Sequence, residues 1–188
     1  MEIQQRLYDI DDLWRMVCEA DDDKRYELIE GEIVEMAPTG IWHGRLVIRL
    51  GGYLDRFVEA NQLGIVTGDT GYYQPADRHN LLGPDIAFAS IDRIKQPKSQ
   101  EFAPLMPDLA VEIKSPSNSL AEIRRKAAIY LERGTQLVWI VLPDTESVEV
   151  HRLGADGEKQ REVIGPDGQL SGEDVLPDFS LALSTLYA

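Results

Sequence analysis

The sequence predicts one α/β or α+β domain in which a mixed central β-sheet is flanked by helices. Three features lead to this prediction. Apolar positions recur at helical spacing over residues 42–61, residues 109–142 read as strand, helix and strand in succession, and short apolar runs are separated by Gly, Pro, Asn and Asp. With 188 residues, 43% of them hydrophobic, the chain fits a single domain over residues 1–188 with a substantial core.

The N-terminal part predicts a short helix followed by a hairpin. Asp9 or Asp11 is a suitable cap for a helix of about three turns. Residues 26–29 and 32–36 are strand-like and flank Glu30-Gly31, which predicts a tight turn with Gly in it.

A long amphipathic helix is predicted next, over residues 42–61. Short strand candidates for an antiparallel sheet follow, and they are residues 64–67, 71–74 and 85–88. Residues 90–107 contain three prolines and several basic residues, which predicts a long loop of the kind that often carries function.

Residues 109–114 predict a strand with an unusual polar face. Period-two alternation places Leu109, Val111 and Ile113 on one face and Ala110, Glu112 and Lys114 on the other. Ionised groups on a mostly apolar strand cost several kcal/mol unless they are paired, liganded or near water. The pattern therefore favours a chemical role for Glu112 and Lys114.

The rest of the chain predicts a parallel crossover and a closing hairpin. Ser119 and Glu122 form a capping box for a helix that ends near Gly134, and the apolar residues 137–142 predict a central strand parallel to the one before the helix. Further strands are predicted at residues 148–152 and 161–164, whereas the tail from residue 176 has no chemical signature.

Composition narrows the class of protein. The single cysteine, Cys18, and three dispersed histidines give no disulfide framework and no zinc spacing. No apolar run approaches the ~20 residues that span a bilayer, and the N-terminus has acids where a signal peptide needs a basic head, so a soluble cytoplasmic protein without a membrane partner is expected.

The net charge of −14 argues against a generic binder of phosphate backbones. However, residues 1–35 hold 12 acidic and 4 basic residues and residues 145–178 hold 9 and 3, so residues 36–144 are neutral with 12 of each. A locally basic surface around a confined nucleic-acid site remains compatible with this distribution.

An acid at one strand start and Glu-x-Lys on the next strand supply the parts of a magnesium-dependent phosphodiester hydrolase. Asp85 and Glu112 offer the hard oxygen ligands that Mg²⁺ prefers. Lys114 offers an ammonium group that orients or deprotonates the attacking water and contacts the developing oxyanion.

A set of segments spread along nearly the whole chain carries a family resemblance. The segments are residues 26–32, His43, residues 84–88, residues 107–117, Lys126, Tyr130, Gly134, residues 138–141 and residues 176–179. In this order and spacing the sequence resembles the Uma2 family of endonucleases, also known as DUF820, within the PD-(D/E)xK nuclease superfamily.

The resemblance implies a restriction-endonuclease-like fold and a metal-dependent nuclease. Carried over residue by residue, it implies metal binding by Asp85 and Glu112 and catalysis by Lys114. Glu30 is similar to an additional acidic site residue of the family, and Lys126 is similar to a recurring helix lysine. The expected cofactor is Mg²⁺, with Mn²⁺ as an alternative, and the expected substrate is DNA.

Each candidate site residue also has a purely structural explanation. Asp85 could satisfy backbone donors at a strand start, Glu112 and Lys114 could form an ion pair on a solvated face, and Glu30 could be a plain turn residue. His43 either has a polar partner at the helix start or binds the substrate. Lys126 either lies on a solvated helix face or contacts phosphate.

The leading interpretation is a Mg²⁺-dependent endodeoxyribonuclease, expected to act as a homodimer that places two sites on two strands. One alternative is a non-catalytic acidic interaction protein, a DNA mimic or regulator on a nuclease-like fold, which the charge of −14 would suit. A second alternative is a phosphatase that shares the metal chemistry.

Overall fold

The computed structural model describes residues 7–20, 24–94 and 101–188, and it has a six-stranded mixed sheet flanked by helices. The predicted fold class is therefore confirmed. The helices are α1 (Ile10–Glu19), α2 (Ile41–Asn61), α3 (Leu120–Glu132) and α4 (Leu183–Tyr187). The strands are β1 (Arg25–Ile29), β2 (Glu32–Met36), β3 (Gly64–Thr67), β4 (Ile86–Ser90), β5 (Leu109–Ile113), β6 (Leu137–Leu142), β7 (Ser147–Leu153), β8 (Lys159–Ile164), β9 (Gln169–Ser171) and β10 (Ser180–Ala182).

The central sheet follows chain order, β3-β4-β5-β6-β7-β8. Only β5 and β6 run parallel in it, and α3 makes the crossover between them, as the capping box and the apolar run 137–142 predict. All other neighbours are antiparallel, and the hairpins β1-β2 and β9-β10 lie outside this sheet.

The alternation predicted for β5 separates two cores. Leu109, Val111 and Ile113 belong to a large cluster with the buried face of α2, whereas Ala110 belongs to a second cluster with α3. Every residue of β5 is buried, so Glu112 lies on a covered face rather than on a solvated one. The solvated ion-pair interpretation of that strand is therefore wrong.

Helix starts follow the predicted caps. The Asp9 side chain accepts a hydrogen bond from the Asp12 backbone N–H (2.9 Å) and caps α1. Ser119 and Glu122 form the capping box of α3 in both directions. None of the helices in the described ranges is both long and apolar enough to cross a membrane.

The structure differs from the sequence predictions in the segment 71–74 and in the tail. Residues 71–74 form no strand, because Tyr72 makes only isolated bridges to Leu82 and Ala103. The tail from residue 176 forms β10 and α4, and β10 pairs with β9, which precedes the tail. These three elements cover the large core with Leu170, Leu181 and Leu186. In the predicted loop 90–107, residues 95–100 lie outside the described residues. Lys95 and Lys98, two of the basic residues predicted for this loop, are among them.

A buried carboxylate on β7 predicts a specific pH dependence of stability. Glu149 is 2% exposed and accepts a hydrogen bond from Arg124 Nε (2.9 Å), while His151 Nε2 lies 3.0 Å from its Oε2. The hydrogen bond from Arg124 lowers the pKa of Glu149 in the folded state. Such a group stabilises the fold above its unfolded pKa, and this contribution is lost as the pH falls through the folded pKa.

We therefore expect Glu149→Gln to melt well below wild type at pH 7, with the gap narrowing below a pH of about 4.5. Thermal unfolding of both proteins across this range is the measurement. An equal gap at pH 7 and at pH 3.5 would contradict the ion-pair account.

Candidate active site

A buried cluster of charged residues lies between β5, α3 and the β1-β2 hairpin. Lys126 Nζ is 2.8 Å from Glu27 Oε1 and 2.8 Å from Glu112 Oε1. The Tyr130 hydroxyl donates to the same Glu112 oxygen at 2.9 Å. Because Glu27, Glu112 and Lys126 are only 2%, 5% and 6% exposed, this is an internal ion cluster and not a solvated helix face.

The local sequence explains how these side chains meet. Glu112 faces α3 because alternation along β5 puts it on the side of Ala110. Lys126 and Tyr130 are four residues apart and therefore share one face of α3. The hairpin is held by reciprocal backbone hydrogen bonds between Leu28 and Leu81 (2.9 and 2.8 Å). Next to this contact, the Gly83 backbone N–H donates a hydrogen bond to Glu27 Oε1 at 2.7 Å.

Electrostatics within the cluster raise the pKa of Glu112 and keep Lys126 protonated. Burial raises the pKa of Glu112 to about 7, and the charge of Lys126 opposes this rise. Glu27 and Asp85 raise it further, because like charges in a buried site disfavour ionisation. For Lys126, burial lowers the pKa, but the two carboxylates outweigh it and raise the pKa overall, so Lys126 stays protonated.

Asp85 is fixed at the start of β4, beside the end of β5. Its Oδ2 accepts a hydrogen bond from the Ile113 backbone N–H (2.7 Å) and lies 3.2 Å from His43 Nε2. The register Ile86 to Val111 continues by one residue to place Asp85 across from Glu112. Burial lowers the pKa of His43, but the hydrogen bond and charge of Asp85 outweigh this and raise it overall.

These groups line one cavity. Glu27, His43, Asp85 and Glu112 all border a space of about 210 Å³. This matches the sequence prediction that Asp85 and Glu112 come together, and it gives His43 the polar partner proposed for a helix-start histidine. Asp85 also accepts a hydrogen bond from a backbone N–H, as its structural alternative predicts.

The donor set fits a hard divalent cation. Mg²⁺ is commonly held by one or two carboxylates together with water and substrate phosphate. Within the described chain, Asp85 and Glu112 each use one oxygen for hydrogen bonds or ion pairs, leaving Asp85 Oδ1 and Glu112 Oε2 for a cation. No group of three or more His, Cys, Asp or Glu among the described residues is arranged to hold a metal by itself.

Lys114 does not join this cluster. Its Nζ lies 4.0 Å from Asp144 Oδ2 and 3.4 Å from the Ser115 carbonyl oxygen, and the side chain borders an adjacent groove. His43 and Ser115 line both spaces, so Lys114 is a neighbour of the carboxylate cavity. The ammonium in contact with Glu112 is that of Lys126.

Glu30 also lies outside the cluster, which corrects its predicted place in the site. It occupies the turn of the β1-β2 hairpin with a positive φ of 51°, and its exposed carboxylate pairs with Arg125. The plain turn interpretation therefore describes its position. The acidic residue that the hairpin contributes is Glu27, three positions earlier.

Two members of the cluster, Glu27 and Tyr130, were not predicted as site residues from the sequence. Glu27 lies between Tyr26 and Leu28 in the predicted strand 26–29, whose other residues are apolar or aromatic, and this is the signal that singled out Glu112. In the sequence analysis Tyr130 is named only among the residues that match the family. Its hydroxyl needs a partner when buried, and the spacing to Lys126 indicates where that partner lies.

Comparison with known proteins places the chain in a family. The fold is similar to the crystal structure of a protein from Anabaena variabilis ATCC 29413 described as "a putative nuclease belonging to DUF820", with a TM-score of 0.80 and 21% sequence identity over 95% of this chain and 97% of that one. No curated protein matches the chain. The profile of the Uma2 family, described as "Putative restriction endonuclease", matches residues 10–184. The chain therefore belongs to the Uma2 family.

Proposed function

We propose that this protein is a metal-dependent endonuclease that hydrolyses phosphodiester bonds in DNA, with Mg²⁺ or Mn²⁺ held by Asp85 and Glu112. The observation that carries the proposal is the shared cavity of these two carboxylates, backed by the buried pair Glu27 and Lys126. Membership of a family described as restriction endonucleases supports the choice of a nucleic acid as substrate.

In the proposed site, some residues bind the cation and others position those ligands. Asp85 and Glu112 would hold the cation, which would lower the pKa of a bound water and neutralise charge on the phosphate. Tyr130 and Lys126 fix Glu112, and His43 fixes Asp85. In this proposal His43 and Lys126 act through the carboxylates rather than by touching the substrate directly.

In this proposal the Lys114 ammonium contacts the phosphate and orients the attacking water. Its side chain is 24% exposed, and its contact to the 86% exposed Asp144 is a surface pair of little strength. The ammonium is therefore free to turn towards a phosphate that enters beside His43. Lys114→Ala should lose cleavage while keeping the fold.

A single site hydrolyses one strand at a time. Cutting both strands of a duplex calls for two sites, which a homodimer provides. We therefore propose a homodimer, and the molar mass in solution tests it.

Plasmid cleavage tests the proposed function directly. Supercoiled DNA is incubated with wild type in Mg²⁺, in Mn²⁺ and in excess chelator, and with Asp85→Asn and the exposed control Asp92→Asn. Nicked or linear product should form with wild type and Asp92→Asn only when metal is present. Cleavage that persists in chelator or in Asp85→Asn would overturn the proposed site.

The hairpin provides a matched pair of acids for a sharper prediction. Glu27→Gln removes one of the two carboxylates that hold Lys126, so we expect cleavage to fall at least about tenfold, the scale of lost second-shell partners. Glu30→Gln changes only an exposed pair with Arg125 and should leave cleavage unchanged. Cleavage rates at saturating metal decide the point, and the reverse order of effects would restore Glu30 to the site.

A further inference from the structure

The start of α2 presents an exposed surface of unusual composition. Ile41 is 87% exposed and Trp42 is 65% exposed. Residues 36–54 contain no Asp or Glu, although the whole chain has 33 acidic residues. Arg45 and Arg49 line this surface, so it combines exposed apolar side chains with positive charge.

Trp42 borders a groove that adjoins the carboxylate cavity. The groove has a volume of about 600 Å³, and Arg45 and Lys114 also line it. His43 and Ser115 line both the groove and the carboxylate cavity. An extended ligand in the groove would therefore pass directly beside Asp85 and Glu112.

The indole is held next to a cation. The guanidinium carbon of Arg45 lies 5.7 Å from the centroid of the Trp42 ring, and Arg45 donates a hydrogen bond to the Ala188 carbonyl oxygen at 2.7 Å. A partly ordered ring loses less freedom when a ligand stacks on it. A flat π surface with a guanidinium and an ammonium close by is the combination that binds a nucleobase and its phosphates.

We infer that this groove, lined by Trp42, Arg45 and Lys114, binds a single-stranded segment of nucleic acid. An unpaired base stacks on Trp42, and the backbone phosphates contact Arg45 and Lys114. Asp144 and Glu146 also line the groove, and Asp144 Oδ2 lies 4.0 Å from Lys114 Nζ, so a phosphate has to replace this exposed carboxylate as the partner of Lys114. Bases within a duplex have both faces covered by their neighbours, so intact duplex cannot make this contact.

The inference rests on the proposed function for the identity of its ligand and makes it more specific. It predicts a preference for DNA with unpaired nucleotides at the site of cutting. Binding measured in chelator is independent of cleavage, and the two proposals can therefore fail separately.

The test is the anisotropy of a dye-labelled oligothymidylate and of a labelled blunt-ended duplex without a loop, titrated in chelator with four proteins. These are wild type, Trp42→Ala, Trp42→Phe and Val163→Ala, the last being an exposed aliphatic control on β8. We expect Trp42→Ala to bind the single strand about tenfold more weakly, and Trp42→Phe to recover most of the affinity. Val163→Ala should match wild type, and the duplex should bind more weakly than the single strand.

Three results would overturn the inference. They are single-strand binding by Trp42→Ala equal to wild type, duplex binding as tight as single-strand binding, and a fall in molar mass in Trp42→Ala that identifies the surface as a contact between two copies. Trp42-dependent binding without any cleavage would support the inference and remove the nuclease proposal. If Trp42→Ala cleaves DNA and binds the single strand as well as wild type does, the nuclease proposal stands and the inference about the groove is wrong.

Discussion

Lys126→Met should lower the free energy of unfolding by about 3–5 kcal/mol, which is the range found when one partner of a buried ion pair is removed. Lys126 is the only described cation in contact with both Glu27 and Glu112, and it is 6% exposed. Its loss would leave two carboxylates buried side by side without a counter-charge. Methionine keeps the length and apolar character of the stem, so the loss reports the charge rather than a cavity.

The neighbouring residue provides the control. Arg125 is 61% exposed at its side chain and pairs with the exposed Glu30. Arg125→Met should change the free energy of unfolding by less than about 1 kcal/mol, as is usual for surface pairs. Denaturant unfolding at pH 7 compares the two. Similar effects from both substitutions would mean that the buried cluster gives no special stabilisation.

The pH dependence of the Lys126→Met defect follows from the same contacts. With Lys126 gone, the pKa of Glu112 should rise further, because the charge of Lys126 opposes the rise that burial causes. A raised folded pKa gives stability that is present at low pH and is lost as the pH increases through that pKa. Lys126→Met should therefore recover part of its lost stability at pH 5.

Glu112→Gln should lose at least about 100-fold in cleavage rate while staying folded. Removal of second-shell partners of metal ligands costs 10–100-fold, so removal of a ligand should cost at least the upper end of that range. The fold should tolerate the change, because burial already raises the pKa of Glu112 to about 7 and its neutral form is therefore readily adopted. Glutamine keeps an oxygen for the Tyr130 hydroxyl and for Lys126.

A second buried glutamate separates catalysis from stability. Glu149 lies on β7, is as buried as Glu112 and has its own cations, but it does not line the carboxylate cavity. Glu149→Gln should therefore lower stability and retain cleavage, the opposite of Glu112→Gln. Plasmid cleavage and thermal unfolding on both variants provide the comparison. Loss of cleavage in Glu149→Gln at a temperature where it is folded would contradict the assignment of the site.

Local chemistry made much of the fold predictable. The caps at Asp9 and Ser119 fix where α1 and α3 begin, and period-two alternation on β5 predicts two cores on either side of the sheet. The segments that sequence reasoning missed are short. The strands β9 and β10 have three residues each, and they exist because Leu170 and Leu181 complete a core built by distant elements.

The site was predictable only in part, for a related reason. Asp85 and Glu112 meet because neighbouring strands share a register, which can be read from the sequence. The position of the Lys114 side chain could not be predicted from the sequence. The strand β5 ends at Ile113, so period-two alternation no longer determines which way the next side chain points. The choice between Glu27 and Glu30 depends on how the hairpin docks through Leu28 and Leu81, a contact between residues distant in sequence.

The most direct test of the central claim is a calorimetric titration of Mg²⁺ and Mn²⁺ into wild type and the double variant Asp85→Asn/Glu112→Gln. The account predicts saturable binding of divalent cation to wild type and at least about 100-fold weaker binding to the variant. Equal binding to both proteins, or none to wild type in the presence of a non-cleavable DNA analogue, would contradict it. The latter result would instead favour an acidic interaction protein on a nuclease fold.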